Sequence, residues 1–194
     1  MKLTICICTI PGREDGLKAL NAELARQVKE AGAEGAVEIM YLGDNRYISL
    51  GLKRRRMVEL ASGEYVCFID DDDEISPLYV RSILKASELG LDVITFNSRV
   101  SGVFDGIEYS AVFDLRLDEN RDDHEARVYY RIPNHLCPIK KTCYENIIYP
   151  DVRWGEDAAI APMVKNACKS YAHIDDVLYH YKYSASGSAC PVPQ

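Results

Sequence analysis

Strand and helix signals alternate along the first half of this chain, and that alternation limits the fold more than any other feature of the sequence. Leu3 to Cys8 is an apolar, strand-like run, followed by the loop Thr9-Ile10-Pro11-Gly12-Arg13. Leu17 to Ala31 then places Leu17, Leu20, Leu24 and Val28 on one helical face. Val37 to Leu42 reads as a second strand, ending in the turn-prone Gly43-Asp44-Asn45. Ser49 can cap a helix running to about Ala61, which Gly63 ends. A third strand, Tyr65 to Ile69, follows. Ser76-Pro77 has the form of an N-cap with proline at the first helical position, opening a helix to about Leu89, and Asp92 to Asn97 is a fourth strand. Helices of this length between strands imply right-handed crossovers and a mainly parallel sheet. The architecture is of a nucleotide-binding kind, although G-x-G-x-x-G and Walker sequences are absent.

The third strand delivers four consecutive carboxylates, Asp70 to Asp73. Open α/β sheets bind their ligands at the C-terminal ends of strands, which is where this cluster falls. Adjacent carboxylates repel one another, and crowding raises some of their pKa values unless a cation neutralises them. A hard divalent ion such as Mg²⁺ or Mn²⁺ takes oxygen ligands and often carries a substrate's phosphates. A solvated acidic turn capping the next helix is the alternative.

Length and composition set the remaining bounds. At 194 residues the chain is read as one domain with a substantial core. A net charge of −7 argues against a surface built to grip duplex nucleic acid, although Lys53-Arg54-Arg55-Arg56 is a concentrated basic patch. No apolar stretch approaches the roughly twenty residues of a membrane span. The N-terminal run lacks the cleavage site of a signal peptide, so a cytoplasmic location is the expectation. The seven cysteines include no C-x-x-C pair, which disfavours structural zinc and a disulfide framework, and all are read as reduced.

The second half is less regular. Ile107 to Leu115 and Val128 to Ile132 suggest antiparallel or edge strands, with the charged stretch Asp118 to Arg127 between them as an exposed loop. Asp157 to Ala167 is a helix with Trp154-Gly155-Glu156 at its start, and Ser170 to Tyr183 gives one or two strands. The expected division is a nucleotide-binding half over 1–97, a less regular half over 98–184, and a mobile tail over 185–194.

Gly63-Glu64-Tyr65-Val66-Cys67-Phe68-Ile69-Asp70-Asp71-Asp72-Asp73 resembles the G-E-Y-hydrophobic-x-F-hydrophobic-D-x-D-D segment of glycosyltransferase family 2. The resemblance is strong from Ser49 to Phe96 and returns around Trp154-Gly155-Glu156-Asp157. It implies an α/β, GT-A-type single domain and a metal-dependent inverting transferase. The donor would be a nucleoside diphosphate sugar, a UDP-sugar first among them. It makes Asp70 and Asp72 the D-x-D pair, with Asp72 on Mn²⁺ or Mg²⁺, Asp70 reaching the ribose or a metal-bound water, and Asp71 and Asp73 as supporting charges beside the donor. A late histidine, His180, becomes a third metal ligand. Thr9, Pro11 and Arg13 match the loop lining base and ribose, although Cys8-Thr9-Ile10-Pro11-Gly12-Arg13 departs from the usual P-T-Y-N-R. Asp44 would bond the base or serve as a turn residue. Lys53 and Arg55 would face the nucleotide, with Arg54 and Arg56 on a solvated face.

The acidic pair Glu156-Asp157 lies where the resemblance places the catalytic site, with Asp157 as base for the acceptor hydroxyl. Helix capping is the other reading of that pair, since free N–H groups at a helix start favour negative charge. His135 and Trp154 are candidates for sugar or acceptor contact, and Trp154 could instead pack in the core. The acceptor is open among a glycan, a lipid-linked sugar and a modified nucleobase. A non-catalytic nucleotide-sugar-binding or assembly module is an alternative. A haloacid dehalogenase-like phosphotransferase fits poorly because Glu74 follows the aspartates, and an EF-hand loop fails because Ile75 stands where glycine is required.

Overall fold

A computed structural model describes residues 1–104 and 106–183. The expected mobile tail 185–194, with Cys190, lies outside the described residues. β1 (Leu3–Thr9) lies between β2 (Val37–Gly43) and β3 (Tyr65–Phe68) and is parallel to both. From β1 the chain steps one way to β2 and then back past β1 to β3. Right-handed crossovers therefore set α1 (Glu14–Glu30) and α2 (Leu50–Leu60) on opposite faces of the sheet. Covered on both sides, β1 and β3 need apolar residues throughout, and Leu3, Ile5, Cys6, Ile7 and Tyr65 to Ile69 are all buried.

The sheet then departs from the expected run of parallel strands. β5 (Val93–Phe104) does not pair with β3; the two-residue β9 (Ile139–Lys140) is inserted between them, antiparallel to both. β10 (Tyr171–Lys182) is one long strand parallel to β5, with register shifts between Ile174 and Tyr179. β6 (Ile107–Phe113) pairs antiparallel with β5, and β8 (Val128–Arg131) runs parallel to β6. The longest ladders, β1–β2 and β5–β10, are parallel, so the central sheet is mostly parallel.

Two local expectations change. The helix after Ser76-Pro77 is α3 (Tyr79–Ser87), starting later than the N-cap reading placed it. Ser76 and Pro77 form a turn instead, in which the Ser76 carbonyl accepts from Tyr79 N at 3.0 Å. The charged stretch Asp118 to Arg127 is not wholly loop. It holds the edge strand β7 (Arg121–Asp123), antiparallel to β8 and fastened by Arg131 to Asp122 at 2.6 Å. The two-residue β4 (Glu74–Ile75) pairs with β10. The six described cysteines are buried and free, in agreement with the reduced reading.

Candidate active site

Loops following β1, β2 and β3 meet at the C-terminal edge of the sheet. Chain order reverses direction there, which makes the edge a natural crevice. The aspartates form a turn closed by Asp73 N to the Asp70 carbonyl at 3.2 Å, and this turn sends their side chains apart. Asp70 and Asp72 reach a cleft of about 210 Å³, where the Asp72 side chain keeps 39% of its exposure. Asp71 is buried against Arg13 at 2.5 Å, and a second nitrogen of Arg13 lies 3.0 Å from Asp72. Asp73 points inward and accepts from Tyr179 Oη at 2.7 Å and from Lys182 N at 2.8 Å.

These neighbours separate the carboxyl pKa values. Burial alone would raise Asp70, but the Arg54 guanidinium, His135 and Arg13 outweigh it and hold the group well below the usual carboxylate range. Burial and the Asp70 charge together push Asp73 up to about 8. Asp72 is also raised, by partial burial and the charges of Asp70 and Asp71 acting against Arg13.

The opposite wall comes from the chain leading into α4 (Glu156–Ala167). Gly155 precedes that helix at φ 78°, a conformation glycine adopts without strain. The loop before it is fastened to the start of α2. Ser49 caps α2 by accepting from Leu52 N at 3.1 Å and donates to Asp151 at 2.5 Å. Gly51 N donates to the Val152 carbonyl at 3.1 Å. A Cβ at Gly51 would stand 1.9 Å from the Pro150 carbonyl oxygen, so only glycine permits this approach. Trp154 is 76% exposed on the cleft rim, which removes the core-packing reading. Asp157 is half-buried in the first turn of α4, beside the buried Glu156.

Several expected contacts fall elsewhere. Arg55 does not border the cleft; it lies on the outer face of α2 and pairs with Glu59 at 3.4 Å. Arg54, assigned to a solvated face, is 1% exposed and spans Asp70 at 2.8 Å and Glu156 at 3.1 Å. Helical phase accounts for the exchange, since Arg54 shares the buried face with Met57, Val58 and Ala61 and Arg55 does not. His180 does not join the aspartates. Tyr179 and Tyr181 point toward them, so strand alternation turns His180 away, to Ser101 Oγ at 2.9 Å and Glu74 at 3.5 Å.

His135 is buried with Nε2 3.5 Å from Asp70, supporting that carboxylate rather than lining the cleft. Asp44 takes the turn role: it pairs with Lys53 and accepts from Ile48 N at 2.7 Å. Lys53 still borders the cleft and donates to the Thr9 carbonyl at 3.1 Å. Thr9 and Arg13 line the cleft, whereas Pro11 is exposed in the turn beyond it.

A family model described as Glycosyl transferase family 2 matches residues 12–144. The chain belongs to that family. Comparison with curated proteins gives no match. Among solved structures, S. aureus TarS 1–349 in complex with UDP-GlcNAc aligns with a TM-score of 0.70 at 13% identity, over 99% of this chain and 62% of that one. The same protein in complex with UDP gives 0.66 at 14%, over 95% and 61%. The longer S. aureus TarS structure gives 0.64 at 14%, over 95% of this chain but 37% of its own. At such identities the likeness establishes the shared GT-A fold. The family match ends before α4 and does not reach Glu156 or Asp157.

The residues present suit a divalent cation in one form only. Asp72 offers carboxylate oxygens to the cleft, and Asp70 borders it while Arg54 occupies its Oδ1. Asp71 and Asp73 are turned inward, and no three His, Cys, Asp or Glu side chains among the described residues converge as a metal-holding group. That set matches Mg²⁺ or Mn²⁺ carried mainly by phosphates and water through one or two carboxylates. It does not match a cage built wholly of protein ligands.

Proposed function

We propose that this protein is a metal-dependent inverting glycosyltransferase that moves a sugar from a nucleoside diphosphate donor, UDP-sugars first among them, to an acceptor hydroxyl. One observation carries the reading: one cleft is bordered by Asp70 and Asp72 on one side and by Arg153 and Trp154, in the chain entering α4, on the other, and Asp157 follows in the first turn of that helix, where its charge acts on the cleft-lining Tyr181. Thr9, Arg13 and Lys53 flank the donor side, and Asp72 with Asp70 would hold Mg²⁺ or Mn²⁺. When bound, that ion neutralises charge developing on the leaving diphosphate.

The chain's own groups supply the rest. Arg13 fixes Asp71 and Asp72, which settles the direction in which the Asp72 carboxylate points. Asp157 stands at a helix start, where free N–H groups favour negative charge, and it removes the proton from the acceptor hydroxyl as that oxygen attacks the sugar from the face opposite the leaving group. Trp154 offers an exposed face on which an acceptor ring can stack. The acceptor is a hydroxyl compound drawn from glycans, lipid-linked sugars or modified nucleobases.

The deciding experiment is thermal unfolding with a panel of nucleotide sugars, with and without Mn²⁺. One UDP-sugar should raise Tm, and only with metal present. Equal stabilisation with and without Mn²⁺ would remove the metal from the proposal. Stabilisation without any donor hydrolysis or transfer would make the protein a binding module.

A further inference from the structure

We propose that Arg54 is a positioning residue that couples the two sides of the cleft, sharing one guanidinium between Asp70 on the donor side and Glu156 beside Asp157. The inference rests on the glycosyl-transfer reading for what each side does, but the link itself is a property of the fold.

Arg54 is 1% exposed, and a buried guanidinium is tolerated only where carboxylates compensate for its lost hydration. Two do so, from distant parts of the chain. Nη2 donates to Asp70 Oδ1 at 2.8 Å, and Nη1 lies 3.1 Å from Glu156 Oε1. The guanidinium is a rigid planar fork, so the hydrogen bond from one arm and the ion pair from the other link the positions of the two carboxylates. Its plane is held in turn: Cζ lies 5.4 Å from the Phe68 ring centroid, and Phe68 packs edge-on against Tyr149 at 5.7 Å. Tyr149 immediately precedes the loop that docks on α2 and leads to α4.

One cation therefore serves two anions, and they compete for it. Asp70 must also remain available at the cleft, where its side chain keeps 26% exposure. Glu156 draws part of the Arg54 charge away and leaves Asp70 free to act toward the donor. A change at Glu156, on the acceptor side, is thus felt by the nucleotide without Glu156 touching it.

The test has two readouts. In ligand-free protein, Asp70→Asn and Glu156→Gln each leave Arg54 one partner, whereas the double variant strands it. Thermal unfolding of the double variant should fall at least about 5 °C below the sum of the single shifts. Additive shifts would overturn the link. Isothermal titration with UDP and Mn²⁺ supplies a readout that a merely structural contact would not move. Glu156→Gln should weaken binding about fivefold or more, a coupling of ordinary size. Glu59→Gln, which makes the same charge change on the exposed face of α2, should stay within about twofold. Equal affinities in Glu156→Gln and Glu59→Gln would overturn the positioning role. A wild-type protein that binds no UDP with Mn²⁺ would overturn the donor assignment instead, and the unfolding cycle would still decide the link.

Discussion

The two walls of the cleft are built differently. The donor wall consists mainly of short loops that leave parallel strands, with Arg13 and Lys53 held beside them by Asp71, Asp72, Asp44 and the Thr9 carbonyl. The other wall is irregular chain between a 3-10 helix (Lys141–Asn146) and α4, and it owes its place to contacts with the first half: Ser49 with Asp151, Gly51 with Val152, and Arg153 with the Arg46 carbonyl at 2.6 Å. Scaffolded groups are placed by the fold, and docked groups by a few specific contacts. The donor wall should therefore respond to charge and the second wall to geometry.

The largest expected effect isolates chemistry on the docked wall. Asp157→Asn should lower transfer by about a thousandfold while leaving Tm and UDP binding near wild type, measured by steady-state kinetics alongside calorimetry. Retained transfer would move the base elsewhere. Gly51→Ala should separate the walls, because its Cβ would collide with the Pro150 carbonyl. The expected loss is about 3 kcal/mol in urea unfolding. Gly35→Ala, with nothing within 4 Å of the added atom, is the control.

A third prediction probes charge on the donor wall. Asp73 is raised to about 8, so between its unfolded pKa and 8 the native state holds a proton that the unfolded chain has lost. Stability from this group is present at acid pH and falls as pH rises toward 8, by up to about 1.4 kcal/mol per unit. In metal-free buffer, Asp73→Asn should flatten the decline between pH 5 and 8; an unchanged slope would reassign the proton. The smallest stability effect belongs to Trp154→Ala, below about 0.5 kcal/mol because the ring is exposed. Its signature should be a raised KM for the acceptor with donor affinity unchanged.

The same contrast decides what could be read from the sequence. β1, β2, β3 and α1 follow from apolar runs and helical spacing, and the record is most continuous in β1 and β3, which are covered on both faces. The Asp70 turn was legible for the same reason: its strand announces it. Arg55 was misplaced although the signal was present, since stepping back by three or four from Ala61 through Met57 and Val58 reaches Arg54. His180 had a similar signal in the alternation with Tyr179 and Tyr181. β4 and β9 left none, because two residues carry no periodicity and only their distant partners define them as strands. The docking of 150–153 on the first half was equally silent, resting on single long-range contacts of Ser49, Gly51 and Arg153 that carry no periodicity.

The insertion of β9 has a consequence for how the chain acquires its structure. Among the described residues β3 and β5 do not pair with each other but are bridged by β9 and the residues just before it, and the far side of β5 waits for β10. A ribosome that has released residues 1–97 has released every nucleotide-side strand, yet the sheet still lacks the piece that joins them. Completing the sheet is therefore governed by closure of long chain loops and should be slower than the local α/β pattern of the first half would suggest.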